Sequence, residues 1–206
     1  MYSLAWIAAG LIFGSLPFSV WIGKIFLRKD IREYGDGAPG ATNVARAGSK
    51  TLYVIAALLD AFKGTAPVCL SQSLSGVAGW ELAAVAVAPV IGHAFSPFLK
   101  FRGGMGVATT FGVWLGLTGW LGPLAMTLCI GSMFIVQKNW VWASVVGMLL
   151  FLIVLLFIPD PFIKTYRAPL FCAGLAHATI MTIRRYSYFQ SWPEPQAWLG
   201  KVLGKR

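Results

Sequence analysis

Long apolar segments recur along almost the whole chain, and they constrain the fold more than any other feature. A helix needs roughly 20 apolar residues to cross the hydrocarbon core of a bilayer. Six segments approach that length: residues 4–26, 52–74, 81–99, 118–136, 141–158 and 169–183. A shorter apolar segment, residues 107–117, brings the number of helices to seven, or leaves it at six if that segment is re-entrant.

Charged residues make up 12% of the chain and the mean hydropathy is +0.71. Soluble domains carry about 25% charged residues. The sequence therefore predicts an all-α fold, a polytopic integral membrane bundle of about seven transmembrane helices. No hydrophilic stretch is long enough to fold alone, so residues 1–206 are expected to form one domain.

Lysine and arginine in the loops predict the orientation, because short cytoplasmic loops are enriched in them. The first and third loops and the tail carry most of these cations: Arg28, Lys29, Arg32, Arg46, Lys50, Lys100, Arg102, Arg184, Arg185, Lys201, Lys205 and Arg206. Only Lys164 and Arg167 run against the trend. We expect the N-terminus outside and the C-terminus in the cytoplasm. The net charge of +10 then favours anionic lipids and anionic substrates as partners over nucleic acid.

The stretch IGHAFSPFLKFRGGMGVATT, residues 91–110, interrupts the apolar pattern. A helix does not run smoothly through Gly103, Gly104 and Gly106. Glycine-rich backbone beside Arg102 and ahead of a helix start suits an anion cradle. The alternative is an ordinary turn between two helices.

Two further features carry polar groups. In the first loop, Thr42, Asn43 and Arg46 follow three glycines, which suits either phosphate recognition or an ordinary capped polar loop. In the second span, Asp60 and Lys63 share one helix face and can pair, as a functional or a structural ion pair.

The motifs GDGAPGATNVAR, DAFKG and GHAFSPFLKFRGGMGVAT occur in that order, preceded by GSLPFS at residues 14–19. Together they resemble the bacterial membrane acyl-phosphate:glycerol-3-phosphate acyltransferases, whose patterns are GSGNPGATN with a following arginine, DxxKG and GHxxPxFxxFKGGKGVAT. The resemblance implies a seven-helix protein of the bacterial inner membrane with a cytoplasmic active site. It implies acyl transfer from acyl phosphate to the 1-hydroxyl of glycerol 3-phosphate, giving lysophosphatidic acid and phosphate without a metal, CoA or another cofactor.

The sequence departs from these patterns at several positions. The family serine is Asp36, the following asparagine is Ala38, and the second lysine of KGGKG is Met105. The family segment RHRxN reads Arg-Arg-Tyr-Ser-Tyr at residues 184–188, with Arg185 in the histidine position.

The resemblance and the charges together define a candidate site. Its candidate catalytic residues are Asn43, expected to orient the acceptor hydroxyl, Arg46, expected to hold phosphate, and Asp36, a candidate general base. The alternative to Asp36 as the base is that the phosphate of a bound substrate takes the proton. Its candidate substrate-binding residues are Thr42, Lys63, His93, Arg102, Gly103, Gly104, Gly106 and Thr109. His93 is also consistent with a purely structural role. The alternative function is a non-catalytic paralogue that binds an acyl phosphate, a lipid or a partner protein.

Overall fold

The computed structural model describes residues 2–189 and 195–196, and every regular element in this part of the chain is helical. Ten α-helices follow one another in this part: α1 (Tyr2–Ser15), α2 (Phe18–Ile22), α3 (Ala41–Arg46), α4 (Lys50–Ser75), α5 (Gly79–Ala94), α6 (Val107–Thr118), α7 (Leu121–Val136), α8 (Trp140–Leu155), α9 (Pro161–Thr165) and α10 (Arg167–Arg184). A π-helical turn, Gly23–Leu27, extends α2, and short 3-10 turns lie at Ile31–Glu33, Pro97–Leu99 and Tyr186–Phe189.

Three stretches are long and apolar enough to cross a membrane: Tyr2–Leu27, Lys50–Ser75 and Gly79–Leu99. Helices α6, α7 and α8 are shorter apolar helices. Each of the seven predicted segments coincides with a helix or a helix pair, so the all-α membrane fold is confirmed. The tail cations Lys201, Lys205 and Arg206 lie outside the described residues, and the orientation of the termini stays a prediction.

Close helix crossings depend on glycine. A Cβ atom built on Gly64 of α4 would lie 2.2 Å from the Thr109 carbonyl oxygen of α6, and one on Gly112 would lie 1.8 Å from the Ala61 carbonyl oxygen. Small residues allow this backbone contact, which is how membrane helices pack without a hydrophobic driving force between them. Because α6 follows the glycine loop directly, this crossing also fixes the position at which the glycine loop ends.

The interior of the bundle is apolar around Trp114, which is fully buried. Its ring meets Phe151 edge-on at 4.7 Å and His177 at 6.5 Å between centroids. The Nε2 atom of His177 lies 3.2 Å from the Ala86 carbonyl oxygen, so this histidine joins α10 to α5 within the core.

The polar loops meet at one end of the bundle. Arg185, just after α10, contacts Asp36 of the first loop, and Arg184 contacts Gly103 of the glycine loop. Segments far apart in the sequence thus converge on one place, and the candidate site lies there.

Candidate active site

A cavity of about 700 Å³ opens where the first loop, the glycine loop and the end of α10 meet. Its wall combines a polar end, two glycines and a long apolar side. The lining residues are Asp36, Ala38, Gly40, Ala41, Thr42, Asn43, Arg46, Tyr53, Val54, Ala57, Leu58, Asp60, Ala61, His93, Gly104, Met105, Gly106, Val107, Ala108, Phe111, Phe134, Trp140 and Arg185.

The first loop shapes the polar end through tight turns. Gly35 has a φ of +59°, and a Cβ atom there would lie 2.1 Å from an Arg46 guanidinium nitrogen. Glycine therefore lets the guanidinium fold back over the loop. Arg46 donates to the Asn43 side-chain oxygen over 3.0 Å, while the Asn43 amide nitrogen donates to Asp36 and to the Ala38 carbonyl oxygen. Asn43 is buried and holds this network together.

Asp36 lies between two arginines. Its Oδ2 atom accepts a hydrogen bond from Arg185 over 3.0 Å, and its Oδ1 atom lies 3.6 Å from Arg46. Oδ1 also accepts from Asn43 and from the Ala38 backbone N–H. The carboxylate thus has four donors around it, and the two guanidinium groups face the cavity on either side.

At the start of this loop, Asp30 caps the turn Ile31–Glu33 by accepting from the Arg32 backbone N–H. A side-chain hydrogen bond from Arg32 lowers the pKa of Asp30 to about 2. Asp30 therefore stays ionised at any physiological pH, and it compensates one of the many cations of the loop.

The glycine loop is held from two sides. The backbone of Lys100 and Phe101 is left-handed, with φ values of 52° and 61°. Arg184 donates to the Gly103 carbonyl oxygen over 2.7 Å and lies over the Phe95 ring. Gly106, at φ +83°, precedes α6 and lines the cavity. Gly104 also lines it, packed so closely on His93 that a Cβ atom would lie 2.5 Å from Nε2.

Behind the cavity lies a buried ion pair. Lys63 Nζ is 2.8 Å from Asp60 Oδ1 and donates to the Leu16 carbonyl oxygen over 2.9 Å. Leu16 precedes Pro17, at the break between α1 and α2. Ser19 Oγ donates to the other Asp60 oxygen over 2.6 Å, and His93 Nδ1 lies 4.0 Å from Oδ1. Asp60 and His93 line the cavity, whereas Lys63 does not.

Two positions that depart from the family pattern differ in their surroundings. Met105 is buried in an apolar cluster with Val141, Val145 and Met181, and it also lines the cavity. Arg102, which aligns with the first family lysine, is exposed and does not line the cavity.

The long side of the cavity is apolar and lies at the outer surface of the bundle. Val54 and Leu58 of α4 and Phe134 of α7 line it, with exposed fractions of 50%, 64% and 44%. Residues that border a cavity and also lie on the outer surface of the bundle mark a lateral opening between α4 and α7. Phe111 and Ala108 of α6 form the wall behind it.

The structure brings together most of the residues that the sequence selected. Seven of them line the cavity: Asp36, Thr42, Asn43, Arg46, His93, Gly104 and Gly106. Lys63, Arg102, Gly103 and Thr109 do not. The positions of these four residues therefore do not support the predicted contact with substrate. Gly103 and Thr109 instead lie at backbone contacts, where a Cβ on Gly103 would meet the His93 carbonyl oxygen at 1.9 Å.

Arg185 and Asp60 also line the cavity, although neither was among the candidate site residues. The sequence analysis placed Asp60 only in a functional or structural ion pair with Lys63. Arg185 is a lining cation, and the only sequence signal for it was its position in the family RHRxN segment. Within residues 2–189, no three His, Cys, Asp or Glu side chains cluster as a metal site requires.

Comparisons with known proteins indicate one family. A family model described as glycerol-3-phosphate acyltransferase matches residues 4–191. A glycerol-3-phosphate acyltransferase of Neisseria meningitidis serogroup B is 36% identical over 178 residues, covering 74% of this chain and 89% of that protein. One of Anaeromyxobacter dehalogenans is 45% identical over 118 residues, and the chain spans 58% of its length.

Solved structures show the same fold. The crystal structure of PlsY (YgiH), an integral membrane glycerol 3-phosphate acyltransferase in its glycerol 3-phosphate form, superposes with a TM-score of 0.79 at 25% identity. The alignment covers 100% of this chain and 94% of that one. The lysophosphatidic acid form gives a TM-score of 0.77 at 24% identity and supports the fold alone.

Proposed function

We propose, because this chain belongs to the glycerol-3-phosphate acyltransferase family, that it transfers a fatty acyl group from acyl phosphate to the 1-hydroxyl of glycerol 3-phosphate. The products are lysophosphatidic acid and phosphate, at the start of phospholipid synthesis. One observation carries the proposal: a single cavity joins two arginines at one end to an apolar side that opens toward lipid. Both substrates carry a phosphate group, and the acyl phosphate also carries a hydrocarbon chain that partitions into a bilayer.

Arg46 and Arg185 form the phosphate end. Both line the cavity, and the Arg46 side chain is 44% exposed, so its guanidinium is accessible from the cavity. A planar guanidinium binds phosphate oxygens with two parallel hydrogen bonds. Gly104 and Gly106 border the same cavity, and their backbone N–H groups are candidate donors to a bound anion.

The acyl chain enters sideways from the membrane in this proposal. Val54, Leu58 and Phe134 border the opening between α4 and α7, and Phe111 lies behind them. Burial of each methylene contributes about 0.8 kcal/mol. The apolar side therefore binds the donor by its chain and places the acyl phosphate group beside the arginines.

Acyl phosphate is an activated donor, so the protein contributes mainly positioning and charge stabilisation. The acceptor oxygen bonds to the acyl carbon, and the bond from that carbon to the phosphate oxygen breaks. Asn43 Oδ1 accepts a hydrogen bond from Arg46 and has a second lone pair. That lone pair can accept a hydrogen bond from the 1-hydroxyl of glycerol 3-phosphate. The acceptor proton passes to the departing phosphate or to Asp36.

The surroundings of Asp36 favour the phosphate as proton acceptor. Four donors already engage this carboxylate, and two of them are arginines. Full turnover by an Asp36→Ala variant would exclude Asp36 as the base, and complete loss with intact phosphate binding would support it. His93, beside Gly104 and Asp60, is assigned to shaping the cavity rather than to proton transfer.

We assign the protein to the inner membrane of a bacterium, with the cavity facing the cytoplasm. The cation-rich loops and the end of α10 meet at the cavity end of the bundle, which supports that orientation.

A non-catalytic paralogue is the second candidate, because Met105 removes a cation from the glycine loop. The two functions are separated by an acyl-transfer assay on the purified full chain with palmitoyl phosphate and radiolabelled glycerol 3-phosphate. We expect labelled lysophosphatidic acid from the wild-type protein, and none when palmitoyl-CoA replaces the acyl phosphate.

The matched variants are Arg46→Ala and Lys50→Ala, since Lys50 is exposed and does not line the cavity. A charged hydrogen bond contributes about 2–3 kcal/mol, so Arg46→Ala should lower kcat/KM roughly 30- to 150-fold. Lys50→Ala should stay within about twofold of the wild type. Folded wild-type protein that binds glycerol 3-phosphate but yields no product would establish the non-catalytic alternative.

A further inference from the structure

Two residues that depart from the family pattern contact each other. Asp36 stands in the position of the family serine and Arg185 in that of the family histidine, and they are 149 residues apart in the chain. We propose that Asp36 and Arg185 act as one pair that sets the phosphate affinity of the cavity, because together they set the charge at its phosphate end. The inference rests on the proposed function, since it concerns the affinity for the substrate phosphate.

The contact is direct and sheltered. Arg185 Nη2 lies 3.0 Å from Asp36 Oδ2, and the two side chains are only 16% and 11% exposed. Both residues line the cavity. The Arg185 guanidinium also lies 6.0 Å from the Trp140 ring centre, over the ring. A pair held this firmly presents a fixed arrangement of charge to any anion in the cavity.

The Ala38 N–H and the Asn43 amide hold the Asp36 carboxylate in place independently of Arg185. Removal of Arg185 therefore leaves the carboxylate in the cavity instead of releasing it to solvent. Similarly, Trp140 contacts the Arg185 guanidinium independently of Asp36. Each single substitution should thus leave the other charge in place.

The two departures from the family pattern compensate each other in charge. Serine and neutral histidine carry no charge, and an aspartate–arginine pair sums to zero as well. The exchange of both residues leaves the total charge of the phosphate end unchanged, whereas an exchange of either one changes it by one unit. With Arg46, the three charged side chains sum to +1, and loss of Asp36 raises that sum to +2, while loss of Arg185 lowers it to zero.

Opposite single changes should therefore move phosphate affinity in opposite directions. Asp36→Ser should tighten the binding of glycerol 3-phosphate, and Arg185→His should weaken it, each by roughly five- to tenfold at about pH 8, where histidine is neutral. The double variant should bind within about threefold of the wild type. A salt bridge with only a structural role would instead weaken binding in both single variants.

The experiment measures Kd for glycerol 3-phosphate and for inorganic phosphate by calorimetry on the full chain in detergent, and KM and kcat where turnover occurs. The set comprises wild type, Asp36→Ser, Arg185→His and the double variant. Matched controls are Glu33→Ser and Arg28→His, which change the same charges at exposed positions away from the cavity. Asp36→Asn and Arg185→Lys serve as second variants, because they keep the side-chain size or the charge and preserve folding.

Opposite shifts in Kd, with recovery in the double variant, would establish the pair even if no protein in the set turned over, in which case only the proposed function fails. The inference is overturned if both single variants shift Kd in the same direction, if the double variant shows the sum of two losses, or if the controls reproduce the shifts. It is also overturned if folded wild-type protein binds neither glycerol 3-phosphate nor inorganic phosphate.

Discussion

At the residue scale, the burial of Lys63 and of Asp60 in the second span is explained by their pairing, because each charge neutralises the other. Lys63 is 99% buried, and both Asp60 and the Leu16 carbonyl oxygen engage its ammonium group. The carbonyl of Leu16 lies where Pro17 interrupts the helix, because proline has no N–H to continue the backbone ladder. Lys63 thus satisfies the Leu16 carbonyl at the end of α1 and a buried carboxylate, and it does not line the cavity.

We expect Lys63→Met to destabilise the protein strongly. Removal of one partner leaves the Asp60 carboxylate buried without its cation, which typically costs about 3–5 kcal/mol. Thermal unfolding in detergent should shift down by several degrees, and the double variant Lys63→Met, Asp60→Asn should recover part of the loss. Lys50→Met, at an exposed position, is the matched control. Equal unfolding temperatures for Lys63→Met and the control would contradict this account.

The contacts of these residues could be predicted from the sequence only in part. The spacing of Asp60 and Lys63 by three residues predicts their pairing, and the structure confirms it at 2.8 Å. No spacing predicts Ser19 or Leu16 as partners, because these contacts join residues 41 and 47 positions apart. Arg102 illustrates the converse: its place in a motif suggested a phosphate contact, yet its side chain is exposed, away from the cavity.

At the element scale, the crossing of α4 and α6 fixes the position of the first turn of α6, which directly follows the glycine loop. Gly64 faces the Thr109 carbonyl oxygen so closely that a methyl group would lie 2.2 Å from it. Backbone cannot yield as a flexible side chain does, so the helices must separate if that methyl group is present. A shift of α6 would move Gly106 and Val107 at the cavity.

Gly64→Ala should therefore lower the free energy of unfolding by about 1–3 kcal/mol and also reduce activity. The matched control is Gly131→Ala on α7, where a Cβ atom meets nothing within 4 Å. There the same exchange in a helix should be neutral or stabilise by up to about 1 kcal/mol. Thermal unfolding of both variants checks the prediction, and a control as damaging as Gly64→Ala would show that glycine itself, not the crossing, matters.

The end of α10 holds the glycine loop through Arg184. Its Nη2 atom donates to the Gly103 carbonyl oxygen over 2.7 Å, which helps to fix a loop whose Lys100 and Phe101 adopt left-handed backbone. We expect Arg184→Gln to speed amide hydrogen exchange in residues 100–106 and to lower kcat. Arg28→Gln, at an exposed position, should change neither. Unchanged exchange in the loop would show that other contacts suffice to hold it.

Element boundaries followed from local chemistry where proline or glycine ends a helix. The predicted span 141–158 corresponds to α8 (Trp140–Leu155), because Pro159 has no N–H to donate to the Leu155 carbonyl oxygen and so cannot continue the helix. The predicted segments 107–117 and 118–136 are two separate helices, α6 and α7, and Gly119 between them has a φ of +58°. No local sequence pattern predicts the contact of the end of α10 with both loops, because this contact depends on tertiary packing.

At the scale of the whole molecule, the cavity connects a charged end with a lipid-facing side. This arrangement suits a donor whose head is an anion and whose tail is a hydrocarbon chain. The family resemblance predicted such chemistry from ordered motifs, and family membership is confirmed. The lateral opening was beyond sequence reasoning, because Val54, Leu58 and Phe134 look like any other lipid-facing residues in an apolar run.

Filling the apolar side should change the preferred acyl chain. Ala108 lines the cavity behind the opening, so Ala108→Phe should lower kcat/KM for palmitoyl phosphate more than for decanoyl phosphate. Each excluded methylene removes about 0.8 kcal/mol of binding. Ala84→Phe on α5 is the matched control, since Ala84 is exposed and does not line the cavity. Equal losses for both donors would place the chain elsewhere.

The position of bound glycerol 3-phosphate tests the central claim most directly. An experimental structure of the full chain with this ligand should show a phosphate oxygen within about 3 Å of the Arg46 guanidinium. The phosphate should lie on the Arg185 side of the cavity, with the 1-hydroxyl directed toward the apolar side. Phosphate bound instead at exposed Arg102, or outside the cavity altogether, would contradict the assignment of this cavity as the active site.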